Sequence, residues 1–225
     1  GCQGAAEFLT KHSYKFDDQT FYTSQADMEM GLNACYRQIQ SLMMGQTHGG
    51  HSWMIMGLGL DTFGQTGGNS AFANWNNLNS SDGMVRHWYD NLYKLINRAN
   101  TVIDMMDERT YITYSSAEKK AELRATAVFF RAWSYRVLAG MYGNVPLLDH
   151  RATSITTGYV PANRQEVWEF CKEDFAYAAQ NLPAKAEKPG QIVRAAADHY
   201  LAEVNLALGD FNGAVEASSR VIDGT

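Results

Sequence analysis

The 225-residue chain lacks several things that would have decided its class at once. It has no clustered run of Lys and Arg, and its formal net charge is −5. Nucleic acid is therefore excluded as the main partner, because neutralising phosphates takes grouped cations. It has no apolar run near the length of a membrane span. Its three cysteines form no CxxC pair and no zinc-ligand spacing, so no metal site is expected from them. Cys35 and Cys171 fall inside apolar helical patterns and read as buried free thiols, with a disulfide between them the alternative.

Catalytic patterns are equally sparse. Gly50-His51-Ser52-Trp53-Met54 begins like a nucleophile elbow but lacks the second glycine of the strained turn. Gly57, Gly59 and Gly64 do not fit a dinucleotide fingerprint. His48 and His51 could share a metal, although such a pair in a Gly-rich loop is more often only loop. A glycosidase needs two carboxylates across a cleft. The acidic residues Asp104, Asp107, Glu169 and Glu173 fall instead on helix faces, which are usually solvated. Asp61 is the loop exception and has no evident partner. An enzyme is not expected, nor a cofactor or a metal.

What the sequence does contain is helix. Hydrophobic residues make up 45% and charged residues 19%, a globular composition that can bury a sizeable core. Ser24 and Asp27 mark a helix start, and Met28, Leu32, Cys35, Ile39 and Leu42 step by four and three up to Gly45. Asp82 caps a second helix carrying Trp88, Leu92, Leu95, Ala99, Val102 and Met106. Ser115 with Glu118 predicts a capping box for a third. That helix is apolar over a wide arc, with Leu123, Phe130 and Met141 on one face and Val128, Tyr135 and Tyr142 on its neighbour. It is therefore packed on both sides and stops at Gly143, ahead of Pro146. Asn163 and Glu166 cap a fourth helix that Pro183 ends. A fifth stops at Gly209, and Asp210 caps a sixth holding Ala214, Ala217 and Val221.

The expected fold is all-α: antiparallel helix hairpins of tetratricopeptide-repeat type with a long irregular loop insertion. The closing stretch LAEVNLALGDFNGAVEASSRVI has the small residues and turn of such a repeat. Residues 1–23 read as an extended arm, and 24–225 as the helical domain. The insertion at 45–81 is rich in Gly, Asn, Ser and Thr. A loop this long in a compact domain is uncommon and usually functional.

One segment carries a family resemblance. ELRATAVFFRAWSYRVLAGMYGNVPLLD (122–149) resembles the most recognisable stretch of SusD/RagB-family lipoproteins, an Arg-Ala-aromatic helix running into a Tyr/Phe-Gly-x-Val-Pro-Leu turn. Arg131, Ala132, Tyr142, Gly143, Val145, Pro146 and Leu147 stand in those places. EFLTKHS, FYTSQADMEMGLNACYRQI, HWYDNLYKLINRANTVID and NRQEVWEFCKEDFAYAAQNLP follow the family order. Family members are usually much longer, so the chain is expected to be the N-terminal part of one.

The resemblance implies a binding protein of the outer membrane. It would capture a glycan and deliver it to a SusC-like TonB-dependent transporter; the alternative is another nutrient such as peptides. The opening Gly1-Cys2-Gln3 matches the end of a bacterial lipoprotein signal. By itself the pair could also be an incidental glycine and an ordinary cysteine. The resemblance favours Cys2 as a lipidated first residue that anchors the protein facing outward.

The expected ligand site lies in NWNNLNSSDG (74–83). An aromatic ring covers the C–H face of a sugar, and amides both donate to and accept from its hydroxyls. Trp75 with Asn74, Asn76, Asn77 and Asn79 has that chemistry. Glycan-binding family members supply an Asp, a Trp and an Asn from this loop, and Asp61, Trp75 and Asn77 correspond. The opposing reading makes Trp75 a plug closing the bundle, with the asparagines as turn formers. Trp88, Trp133 and Trp168 read as packing.

Overall fold

The computed structural model describes residues 21–44, 79, 81–153 and 158–224. Among these it holds six helices and no strand. They are α1 (Gln25–Met44), α2 (Gly83–Glu108), α3 (Ala117–Tyr142), α4 (Arg164–Asn181), α5 (Arg194–Leu208) and α6 (Phe211–Asp223). The all-helical expectation holds. Most of the extended arm and most of the loop insertion lie outside the described residues. Of the arm, Tyr22 packs on the core, and its carbonyl accepts from the Arg109 guanidinium at 2.5 Å.

The helix boundaries follow local chemistry. The Ser24 hydroxyl accepts from the Asp27 amide at 3.3 Å, and the Asp82 carboxylate from the Met84 amide at 2.9 Å. Asn163 and Glu166 form the full reciprocal box. Gly209 sits at φ 78 in the left-handed region, which closes α5 and lets Asp210 cap α6. One cap differs from expectation. Ser116, not Ser115, caps α3: its backbone is extended and its hydroxyl accepts from the Lys119 amide at 2.9 Å. The Ser115 amide donates instead to the Gln25 side chain, tying the start of α3 to α1.

Neighbouring helices run antiparallel. Val85 meets Tyr142 while Asp107 meets Arg124, which sets α2 against α3. The α3 pairs Arg124–Tyr177, Arg131–Asp174 and Tyr135–Phe170 do the same for α4. Asp198 and Arg220 join the start of α5 to the end of α6. The third helix is the hub. It packs between α2 and α4 and also touches α1 and α5, so its wide apolar arc is fully used. Met141 is the exception, partly exposed in the last turn where the flanking helices no longer cover it. Cys35 and Cys171 are buried free thiols; burial pushes Cys35 up to about 12, which makes it inert at neutral pH.

Candidate functional site

Beyond α3 the chain continues without helix through residue 153. Gly143, at φ 77, turns it sharply, and an irregular strap follows over 144–153. An isolated antiparallel bridge joins Val145 to Ala162. Elsewhere the strap's backbone finds its partners in side chains. On α2, Tyr93, Asn97, Asn100 and Asp104 stand at spacings of four, three and four, which is one helix face. The Tyr93 hydroxyl donates to the Pro146 carbonyl at 2.6 Å. Asn97 accepts from the Ala152 amide at 3.1 Å. Asn100 donates to the carbonyls of Leu148 and His150 at 2.9 and 3.2 Å. Asp104 accepts from the Arg151 amide at 2.7 Å and pairs with the His150 imidazole at 3.0 Å. From α3, the Tyr135 hydroxyl accepts from the Leu148 amide.

Arg131 locks the assembly from below. Its guanidinium forms a bidentate pair with Asp174 on α4, at 2.8 and 2.9 Å. It also donates to the Asn100 side chain at 3.0 Å and the Asp149 carbonyl at 3.1 Å. All three helices and the strap are thus joined through one cation. Burial pushes the Asp174 carboxyl above the ordinary carboxylate range, and Arg131 pulls it back. The hydrogen bond that the His150 imidazole donates to the Asp104 carboxylate raises the imidazole above its usual value. Burial raises the Tyr135 and Tyr142 phenols, so both remain neutral donors.

This network corrects one expectation and supplies what sequence reasoning missed. Asp104 is buried, not solvated. Its position on a face with Tyr93, Asn97 and Asn100 was the available signal: polar residues repeating at helical spacing within an apolar run. Asp174 had a similar signal, three residues after inward Cys171. Asp107, Glu169 and Glu173 are exposed as expected. The strap and α2 also enclose a cavity of about 100 Å³ lined by Asn97, Asn100 and Tyr159. That is well below the ~300 Å³ at which ligand pockets begin. The polar side chains here bond the strap's backbone and one another.

The residues expected to bind ligand stand elsewhere. Trp75, Asn74, Asn76, Asn77 and Asp61 lie outside the described residues, as do Cys2, His48, His51 and the Gly50–Met54 stretch. The described structure does include the point where that segment rejoins the bundle. Asn79 accepts from the Ser81 amide at 2.8 Å through its side chain and from the Asp82 amide at 3.1 Å through its carbonyl. Asp82 then caps α2. Trp75 is thus four residues from a turn that is held at both its start and its end. Trp88 and Trp133 are buried and Trp168 is packed on the core. Of the five tryptophans, only Trp53 and Trp75 fall in the insertion. No group of three or more metal-ligating side chains occurs among the described residues, and none of the described helices is long and apolar enough to cross a membrane.

A SusD-like family model, described as starch-binding and associating with the outer membrane, matches residues 7–206. A SusD-like protein of Formosa agariphila is 26% identical over 211 residues, 91% of this chain and 40% of its own. One of Bacteroides ovatus is 26% identical over 204 residues, 87% of this chain and 35% of its own. This chain therefore spans about two-fifths of the length of the curated relatives it matches. The solved structure of a SusD-like carbohydrate-binding protein of Bacteroides fragilis superposes with a TM-score of 0.77 at 24% identity. It covers 91% of this chain and 41% of that one. A laminarin-binding SusD-like protein gives 0.77 at 22%, covering 89% and 44%. At such identities the structures speak for the fold. The family match covers most of the sequence, and on that ground the chain belongs to the SusD-like family.

Proposed function

We propose that this chain is part of an outer-membrane surface lipoprotein that captures a glycan and passes it to a SusC-like TonB-dependent transporter. The observation that carries the reading is the family match across residues 7–206. The chain binds its ligand and does not transform it. Cys2 is the lipid-bearing residue, and the segment from 1 to 23 serves as the leash. The ligand site is formed by Trp75 with Asn74, Asn76 and Asn77, and with Asp61 from earlier in the same insertion. Trp75 stacks on a sugar face, the asparagines exchange hydrogen bonds with its hydroxyls, and Asp61 accepts from one more. The held turn at Asn79–Asp82 supports this reading, since it fixes the chain at the start of α2, four residues after Trp75 in sequence.

The test is a glycan array with the protein and its Trp75→Ala variant. The reading expects at least one oligosaccharide to bind, with tenfold or greater loss in the variant and an unchanged melting midpoint. Binding of peptides with indifference to every sugar would replace the glycan reading with a peptide one.

A further inference from the structure

On the opposite side of α3 from the strap, α1, the start of α3 and the turn before α5 enclose a groove of about 610 Å³. That volume is within the usual ~300–1,000 Å³ of ligand sites. Its floor is apolar, with Leu32 and Leu123 nearly buried and Ile39 partly so. One wall is a stripe on α1: Asn33, Tyr36 and Gln40, at spacings of three and four. The two amides are exposed, and their side chains make no hydrogen bond among the described residues. At ~1.5 Å per residue they stand roughly 10 Å apart, with the aromatic ring between them.

The groove is built rather than collapsed. The Tyr36 ring meets Phe130 edge-on at 4.8 Å, and its hydroxyl accepts from the Ile192 amide at 3.0 Å. Gln191 donates to Glu122 at 2.8 Å and accepts from the Glu187 amide at 2.7 Å, which fixes the far lip. Lys119 pairs with Glu122 at 2.9 Å and with Glu187 at 3.7 Å. Of the five charged residues in the lining, Lys119, Glu122 and Glu187 pair with one another, and Glu29 and Lys188 are of opposite sign, so no strong charge of one sign is left for an ionic ligand. Two of its sides are helices and the third is a turn, and none presents a strand edge for an extended peptide to join. A ring between two open amides over an apolar floor suits the C–H faces and hydroxyls of a sugar chain.

We propose that this groove is a second carbohydrate subsite, for a short neutral oligosaccharide, centred on Asn33, Tyr36 and Gln40 and separate from the Trp75 segment. It rests on the glycan reading above. The test is hydrogen exchange by mass spectrometry on the full chain with a panel of neutral oligosaccharides that includes maltoheptaose and laminarihexaose. One of them is expected to slow exchange in 29–40 and 187–192. That protection persists in Trp75→Ala and weakens at least tenfold in apparent affinity in Asn33→Ala/Gln40→Ala. Both replaced side chains are exposed, and an unchanged melting midpoint verifies that the double variant folds. If an oligosaccharide binds but these segments are unprotected, or the double variant protects them as well as before, the groove proposal falls and the glycan reading stands. If no member of the panel binds, both fall.

Discussion

Two polar regions flank α3, and they use their side chains in opposite ways. In the strap, Tyr93, Asn97, Asn100, Asp104 and Arg131 all face inward and bond the protein's own chain. In the groove, Asn33 and Gln40 face outward with their amides open. Buried polar groups must be paired, because an unpaired one costs about 1–3 kcal/mol. Exposed amides carry no such demand and remain available to a ligand. The most recognisable residues of the sequence, Arg131 and the Tyr142–Leu147 turn, belong to the first kind. They mark the family through its architecture, and ligand contacts must be sought in side chains that the architecture leaves free.

The comparison breaks most visibly at Arg131. Arg131→Met leaves Asp174 as an uncompensated charge in the interior and should cost about 3–5 kcal/mol in urea unfolding. Adding Asp174→Leu should recover only part of that, since Asn100 and the Asp149 carbonyl still lack their donor. Full recovery would mean that the strap does not depend on this cation.

A smaller effect is expected at Gly31, where α1 crosses α2. A Cβ there would lie 2.9 Å from the Tyr22 hydroxyl and 3.0 Å from Val102. Gly31→Leu should cost about 1–3 kcal/mol by overpacking. It should also shift α1, and with it the groove wall, while leaving the strap's hydrogen exchange unchanged. Equal loosening of both regions would show that they are not separate.

The smallest effect is at His150. Its imidazole is raised by Asp104, helped by Asp149 and opposed by Arg131. A raised histidine stabilises the fold fully below its unfolded value of about 6.5, and that contribution fades as pH rises through the higher folded value. The ring is mostly exposed, so the pair is worth at most about 1 kcal/mol. The melting difference between the protein and His150→Gln should be present at pH 5.5 and shrink by pH 8.5. A difference that grows with pH would reverse the assignment.

The helices were legible because their signals are local. Periodic apolar residues and capping side chains lie within one or two turns of each other, as at Asp82, Asn163 and Asp210. Adjacent Ser115 and Ser116 offered the same cap chemistry; Ser116 takes the Lys119 amide while the Ser115 amide is drawn to Gln25, 90 residues away. Arg131 and Asp174 are 43 residues apart, so their pairing had no local trace. Asp104 differs from expectation because a carboxylate on a helix is usually solvated, and the partners that cover it sit on a strap 46 and 47 residues downstream. The Trp75 segment has no period at all. Its residue types state a chemistry, while its placement depends on contacts that periodicity cannot predict.

The central claim is that Trp75 meets a sugar. Titration calorimetry with an oligosaccharide drawn from the array, on the protein and on Trp75→Ala, tests it most directly. The account predicts at least a tenfold loss of affinity at the Trp75 site with an unchanged melting midpoint. Unchanged affinity, or a melting midpoint that collapses with the substitution, would make Trp75 a plug in the bundle and contradict it.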